Sequence, residues 1–305
     1  VVLNKETNRR VKSNKLAAFW QFSRPHTIIG TSLSVWGVYA IAFDQGFNHS
    51  SVLPVLVAWL ACLCGNIYIV GLNQLEDVAI DQINKPHLPL ASGDFSLATG
   101  KLIVAVTGIL SLLLAGLQSR YLLGMVVISL AIGTAYSLPP IRLKRFPFWA
   151  ALCIFTVRGA VVNLGLYLHF TNSLNIPATV WALTLFVIVF TVAIAIFKDI
   201  PDLEGDRQYQ ISTFTIALGQ ERVFNLARWI ITVCYIGMAI AAFFWLPGVN
   251  TIFLVSTHLG LLFLLWWRSF QVDLLDKVAS ASFYQFIWKL FFLEYLLFPA
   301  ACLLG

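Results

Sequence analysis

The sequence predicts an all-helical, polytopic membrane protein: one bundle of nine transmembrane helices with a cytoplasmic N-terminus. Three observations carry this reading. The 305 residues are 59% hydrophobic and only 11% charged, whereas soluble domains carry about 25% charged residues. Nine stretches offer the roughly 20 mostly apolar residues that a bilayer span requires. Lysine and arginine fall lopsidedly on one side of those stretches, the asymmetry that orients membrane proteins.

Residues 1–21 read as a polar, basic leader that lacks the apolar run of a cleavable signal. Either the tail of a trimmed organellar transit peptide or a plain cytoplasmic leader fits them. Residues 22–305 read as a single transmembrane domain. Its first span, 22–43, opens on the inner side with Arg24 and His26. The second, 52–72, leads into a run of acid and amide residues from Asn73 to Asp81. The third and fourth, 101–117 and 121–138, are joined by the only basic residue of the outer loops, Arg120. After the fourth comes the inner basic stretch Arg142-Leu143-Lys144-Arg145. The fifth, 148–168, carries Arg158 near its middle and Asn163 beyond it. The sixth, 177–197, leads into a second acidic run from Asp199 to Asp206. The seventh and eighth are 225–246 and 250–268, the eighth holding His258, and the ninth, 283–304, holds Lys289 and Glu294. His49 and His169 fall on the outer side and receive no role.

The net charge of +6 does not point to nucleic acid, because the basic residues are not clustered as a binding face requires. They follow topology instead: the inner segments hold the loop cations from Lys5 to Lys277. Cys62, Cys64, Cys153, Cys234 and Cys302 all fall inside predicted spans. That placement speaks against disulfides or a zinc site and for apolar packing.

The acid residues are where the chemistry concentrates. On a helix, residues i, i+4 and i+8 share a face, as do i, i+3 and i+7. Asn73, Asp77 and Asp81 therefore form one oxygen-bearing column, and Asp199, Asp202 and Asp206 a second that Pro201 and Gly205 loosen. Asn66 extends the first column deeper into the membrane. Stacked carboxylates repel, and more so near a bilayer, so a cation must offset them. Mg²⁺ prefers oxygen ligands and commonly shares its shell between one or two carboxylates and substrate phosphates. Span parity brings both columns and the basic stretch out on one membrane face. An ion-coupled transporter is the rival reading, but its carboxylates belong near the midplane on interrupted helices, whereas these lie at span ends.

At these residues the chain resembles the UbiA superfamily of intramembrane aromatic prenyltransferases. The likeness runs through Phe22-Ser-Arg-Pro-His26, Asn73 to Asp81, Asn84-Lys85-Pro-His-Leu-Pro-Leu-Ala-Ser-Gly-Asp94, Tyr136 to Arg145, Val157-Arg158-Gly159, Lys198 to Arg207 and Phe283 to Lys289. Gln74 and the stretch after Asn84 point to the branch that prenylates homogentisate. The resemblance implies a nine-helix bundle around a cavity open sideways to lipid. It implies Mg²⁺ held by Asn73, Asp77, Asp81, Asp199, Asp202 and Asp206, with Asp77, Asp81, Asp202 and Asp206 catalytic. It assigns Tyr136 and Lys144 to diphosphate binding. Lys85 and Lys198 join them because each adjoins a carboxylate cluster, and Arg145 joins as part of the basic stretch.

The expected partners are a prenyl diphosphate, a small aromatic acid and membrane lipid, with no nucleic acid; nothing in the sequence specifies an oligomeric state. Expected chemistry is transfer of a phytyl group to homogentisate with loss of its acetate carboxyl, geranylgeranyl and solanesyl being the other donors of this branch. A buried Arg in a span is a site candidate by default, and Arg158 has the fork geometry for a carboxylate. Arg24, His26, Arg158 and Asn163 are therefore expected at the aromatic substrate. His258, Lys289 and Glu294 are read as structural hydrogen-bonding or pairing residues.

Overall fold

A computed structural model describes residues 14–47, 52–209 and 211–305. The leader cations Lys5, Arg9, Arg10 and Lys12 and the outer His49 lie outside the described residues. With no water in the hydrocarbon, backbone groups must be satisfied within the segment, so apolar stretches of this length become helices. Among the described residues nine helices are long and apolar enough to cross a membrane: Pro25–Asp44, Leu53–Glu76, Leu97–Gln118, Arg120–Ser137, Pro147–Thr171, Ala178–Phe197, Gln220–Phe244, Thr251–Ser269 and Lys277–Leu303. Their starts carry ordinary signals. Proline stands in the first turn of the first, second and fifth spans. Ser96, Ser119, Asn250 and Asp276 cap the third, fourth, eighth and ninth with side-chain oxygens.

Each span packs on the next, and the ninth packs back on the first, closing a ring. Apolar side chains gain little from leaving lipid for protein, so close packing and interhelical hydrogen bonds must hold such a ring together. Ser111 of the third span donates to the Ala61 carbonyl of the second at 2.8 Å. Tyr68 and Thr134 join the second and fourth at 2.8 Å. His258 Nε2 of the eighth approaches Glu294 of the ninth to 3.1 Å, both fully buried. The contact matches the interhelix pairing expected of His258 and Glu294; Lys289, expected to pair as well, is instead exposed and makes no ion pair among the described residues. All five cysteines are free and buried.

Three local features depart from the expected outline. Residues 15–21, read as part of a polar leader, belong to a short helix, Lys15–Phe22, with Leu16 and Trp20 exposed and Phe22 buried. Gln74, buried in the second span, donates to the Phe22 carbonyl at 2.7 Å and ties this helix to the ring. The fifth span is not one continuous α-helix: a π-helical turn, Thr156–Val161, interrupts it and carries Arg158. Such turns often mark functional sites. Finally, both acidic runs leave their spans and form short helices of their own, Val78–Asn84 and Leu203–Gln208.

Candidate active site

The second span ends at Glu76. Asp77 sits in the break with φ −112° and ψ 17°, and the chain re-enters a helix at Val78. The expected straight column of Asn73, Asp77 and Asp81 therefore turns a corner at Asp77. The reason is visible in its partners. Arg142 and Lys144, from the loop after the fourth span, hold the Asp77 carboxylate at 3.1 and 2.5 Å, and Asn73 donates to it at 3.0 Å. The sixth span ends at Phe197, and a turn through Pro201 delivers Asp202 to the start of Leu203–Gln208.

The two short helices touch through Asn84. Its carbonyl oxygen accepts from the Gly205 amide at 3.0 Å, and its amide nitrogen reaches Asp206 at 3.5 Å. A Cβ on residue 205 would collide with that carboxamide, which is why glycine stands there. Lys85, next in sequence, pairs with Asp202 across the same junction. Lys198 pairs with its neighbour Asp199 at 2.7 Å, and Arg24 lies 3.9 Å from Asp81.

These groups wall an outer, polar cavity of about 360 Å³. All six expected oxygen ligands and all five expected diphosphate contacts line it: Asn73, Asp77, Asp81, Asp199, Asp202 and Asp206, with Lys85, Tyr136, Lys144, Arg145 and Lys198. Burial pushes the Asp81 carboxyl upward, with Arg24 and Lys85 opposing. Burial, reinforced by the charges of Asp202 and Asp199, pushes Asp206 up to about 7. Asp206 has no cation within ion-pair distance among the described residues.

The donor set fits a divalent oxygen-seeking ion. Among the described residues no group of three Asp, Glu, His or Cys side chains closes around a point tightly enough to hold a metal unaided. The carboxylates of both clusters instead line one cavity, which suits an ion that completes its shell with phosphate oxygens.

A second, inner cavity of about 260 Å³ continues into the membrane and shares Arg24, Asn73, Tyr136, Ala195 and Lys198 with the first. It is mostly apolar. Arg158 lies over the Trp288 ring at 4.8 Å and the Phe291 ring at 5.7 Å, with no carboxylate in ion-pair distance among the described residues. His26 packs on Trp288 with ring centroids 4.8 Å apart. Asn66 also lines this cavity and donates to Thr27 at 2.9 Å.

Of the four residues expected at the aromatic substrate, Arg24, His26 and Arg158 line the inner cavity and Asn163 does not. Asn163 is fully buried among helices, where it accepts from the Tyr295 hydroxyl at 2.8 Å and donates to the Gly159 carbonyl at 2.9 Å. Its amide is occupied by the fold. Sequence reasoning passed over Arg142, Asn84, Tyr284 and Trp288. The last two are four apart on the ninth span, so they share a face, and that spacing was the available signal.

Known proteins resemble the chain over nearly its whole length. Homogentisate phytyltransferase of Synechocystis is 58% identical over 294 residues, covering 94% of this chain and 96% of the relative. Homogentisate phytyltransferase 1 of Arabidopsis thaliana is 43% identical, covering 96% of this chain and 78% of the relative. Among solved structures, a UbiA homologue from Archaeoglobus fulgidus bound to GPP and Mg²⁺ shares the fold with a TM-score of 0.66 at 18% identity, over 93% of this chain and 99% of that one. The model of the UbiA prenyltransferase family matches residues 32–290, so this integral membrane protein belongs to the UbiA prenyltransferase family.

Proposed function

We propose that this protein transfers a prenyl group, phytyl by preference, from its diphosphate to homogentisate, with loss of the acetate carboxyl as CO₂. The observation that carries the reading is the pair of adjoining cavities. A polar one, rich in carboxylates and cations, shares Tyr136 and Lys198 with an apolar one that holds an arginine with no carboxylate in ion-pair distance among the described residues. The diphosphate belongs in the first, and the prenyl chain and the acceptor ring belong in the second. The identity to homogentisate phytyltransferases supports the choice of acceptor.

The chemistry follows from the side chains. Mg²⁺, held by Asn73, Asp77 and Asp81 on one side and Asp199, Asp202 and Asp206 on the other, would neutralise the diphosphate as the allylic C–O bond breaks. Lys85, Lys144 and Lys198 now neutralise carboxylates; each is placed to turn to phosphate oxygens when a ligand fills the cavity. Arg145, at the rim, adds a further cation. Tyr136 stands at the boundary, where the scissile bond must lie. Beyond it, an apolar wall excludes water, and the Trp288 and Tyr284 rings offer faces that tolerate an allylic cation. Arg158 forks the acceptor carboxylate.

The test supplies purified enzyme and Mg²⁺ with carboxyl-labelled homogentisate and phytyl, geranylgeranyl or solanesyl diphosphate. One CO₂ per prenylated ring, with phytyl the best donor, is the expected result. Prenylation of 4-hydroxybenzoate without turnover of homogentisate would remove the acceptor assignment. Ion flux in liposomes with no transfer to any phenol would return the transporter.

A further inference from the structure

Transfer to homogentisate with decarboxylation moves two protons. The donor C–O bond breaks with its electron pair leaving on the diphosphate, and a ring π pair forms the new C–C bond. The alkylated ring carbon then sheds a proton to restore aromaticity. At the acetate arm the bond to the carboxyl breaks, CO₂ leaves without the bonding pair, and the methylene carbon needs a proton to become a methyl. One proton is released and one consumed, so a single group that takes the first and returns the second balances the cycle without drawing on water.

The inner cavity offers few candidates. Its ionisable lining consists of Arg24, Arg158, Lys198, Tyr136, Tyr284, Cys62, Cys153 and one imidazole, His26. Arginine keeps its proton. Of the rest, only the imidazole carries an acceptor nitrogen and a donor nitrogen on one ring, the pairing a shuttle needs. The carboxylates belong to the outer cavity. His26 makes no hydrogen bond or ion pair with any described residue, so both ring nitrogens are open to a ligand. The cations facing it are Arg24 on its own segment, Arg158 from the fifth span and Lys85 from the loop after the second. Its ring shares the Trp288 indole with Arg158, each at 4.8 Å. All three groups line one cavity, so an acceptor whose carboxylate is forked by Arg158 would share that space with the His26 ring.

Resting on the homogentisate reading above, we propose that His26 is a catalytic proton shuttle, carrying the ring proton released by prenylation to the methylene carbon that decarboxylation exposes. The experiment is run on the full-length enzyme with Mg²⁺, phytyl diphosphate and homogentisate deuterated on its ring. The wild-type product should carry deuterium in its new methyl group. His26→Gln should lose about 10²- to 10⁴-fold in kcat, the scale of general acid–base catalysis, with KM for the diphosphate nearly unchanged. Added imidazole should restore part of the rate. A wild-type methyl holding only solvent hydrogen would overturn the shuttle, even if the variant fails to fold. So would a folded His26→Gln enzyme with near-normal kcat, or one altered only in KM. If the wild-type enzyme does not turn over homogentisate at all, the acceptor assignment has failed rather than the shuttle.

Discussion

Burial and the neighbouring charges of Asp202 and Asp199 push the Asp206 carboxyl up to about 7, so near neutrality this side chain is only partly ionised. A divalent ion binds the carboxylate form, so metal and proton compete for it. At subsaturating Mg²⁺, activity should fall about tenfold per unit as pH drops below about 7, and saturating Mg²⁺ should move that fall to lower pH. Asp206→Asn should raise the Mg²⁺ concentration required at all pH values and remove this limb. An Mg²⁺ requirement that does not change across the range would dismiss the residue as a ligand. Residue types and spacing were enough to single out Asp206. They did not reveal that Arg24 and Arg142 adopt left-handed backbone at φ 53° and 39°, an uncommon conformation for residues with side chains that is enriched at functional sites. Both side chains reach carboxylates of the first cluster, Asp81 and Asp77.

At the scale of elements, the two acidic runs do not meet as parallel columns on long helices. Each breaks from its span into a short helix, and Asn84 stitches the two short helices together at Gly205. Alanine at Gly205 must displace the Asn84 carboxamide. We expect Gly205→Ala to reduce kcat/KM by roughly tenfold to a hundredfold, because misplacing charge-stabilising groups by about an ångström has effects of that order. Truncating Asn84 removes the collision, so adding Gly205→Ala to Asn84→Ala should cost much less than Gly205→Ala alone, the non-additivity of neighbours. A fully additive pair would contradict the contact. Gly124, which has open space around it, should accept alanine without loss of activity.

For the whole molecule, one end of the ring gathers the first turn of span one, the ends of spans two, four and six and the start of span five around the polar cavity. From the charge asymmetry we propose that this end faces the cytoplasm. Single cysteines at Asp94, Phe146 and Asp273 should then react with a membrane-impermeant reagent from the cytoplasmic side only, and one at Leu174 from the opposite side only. The native cysteines are buried and should add little background. Labelling of any of the first three from outside would break the nine-span order. The sequence by itself determined the number of spans and the gathering of acid and amide side chains at span ends, because hydrophobic length and the order of residues at a span's end are local properties of a chain in lipid. Tertiary structure alone decided which cation meets which carboxylate, that Asn163 turns to Tyr295 while Arg158 faces the cavity, and that Tyr284 and Trp288 complete the inner cavity's wall. Those outcomes depend on which spans become neighbours when the ring closes and where a helix breaks, and neither is written in the spacing of any single segment.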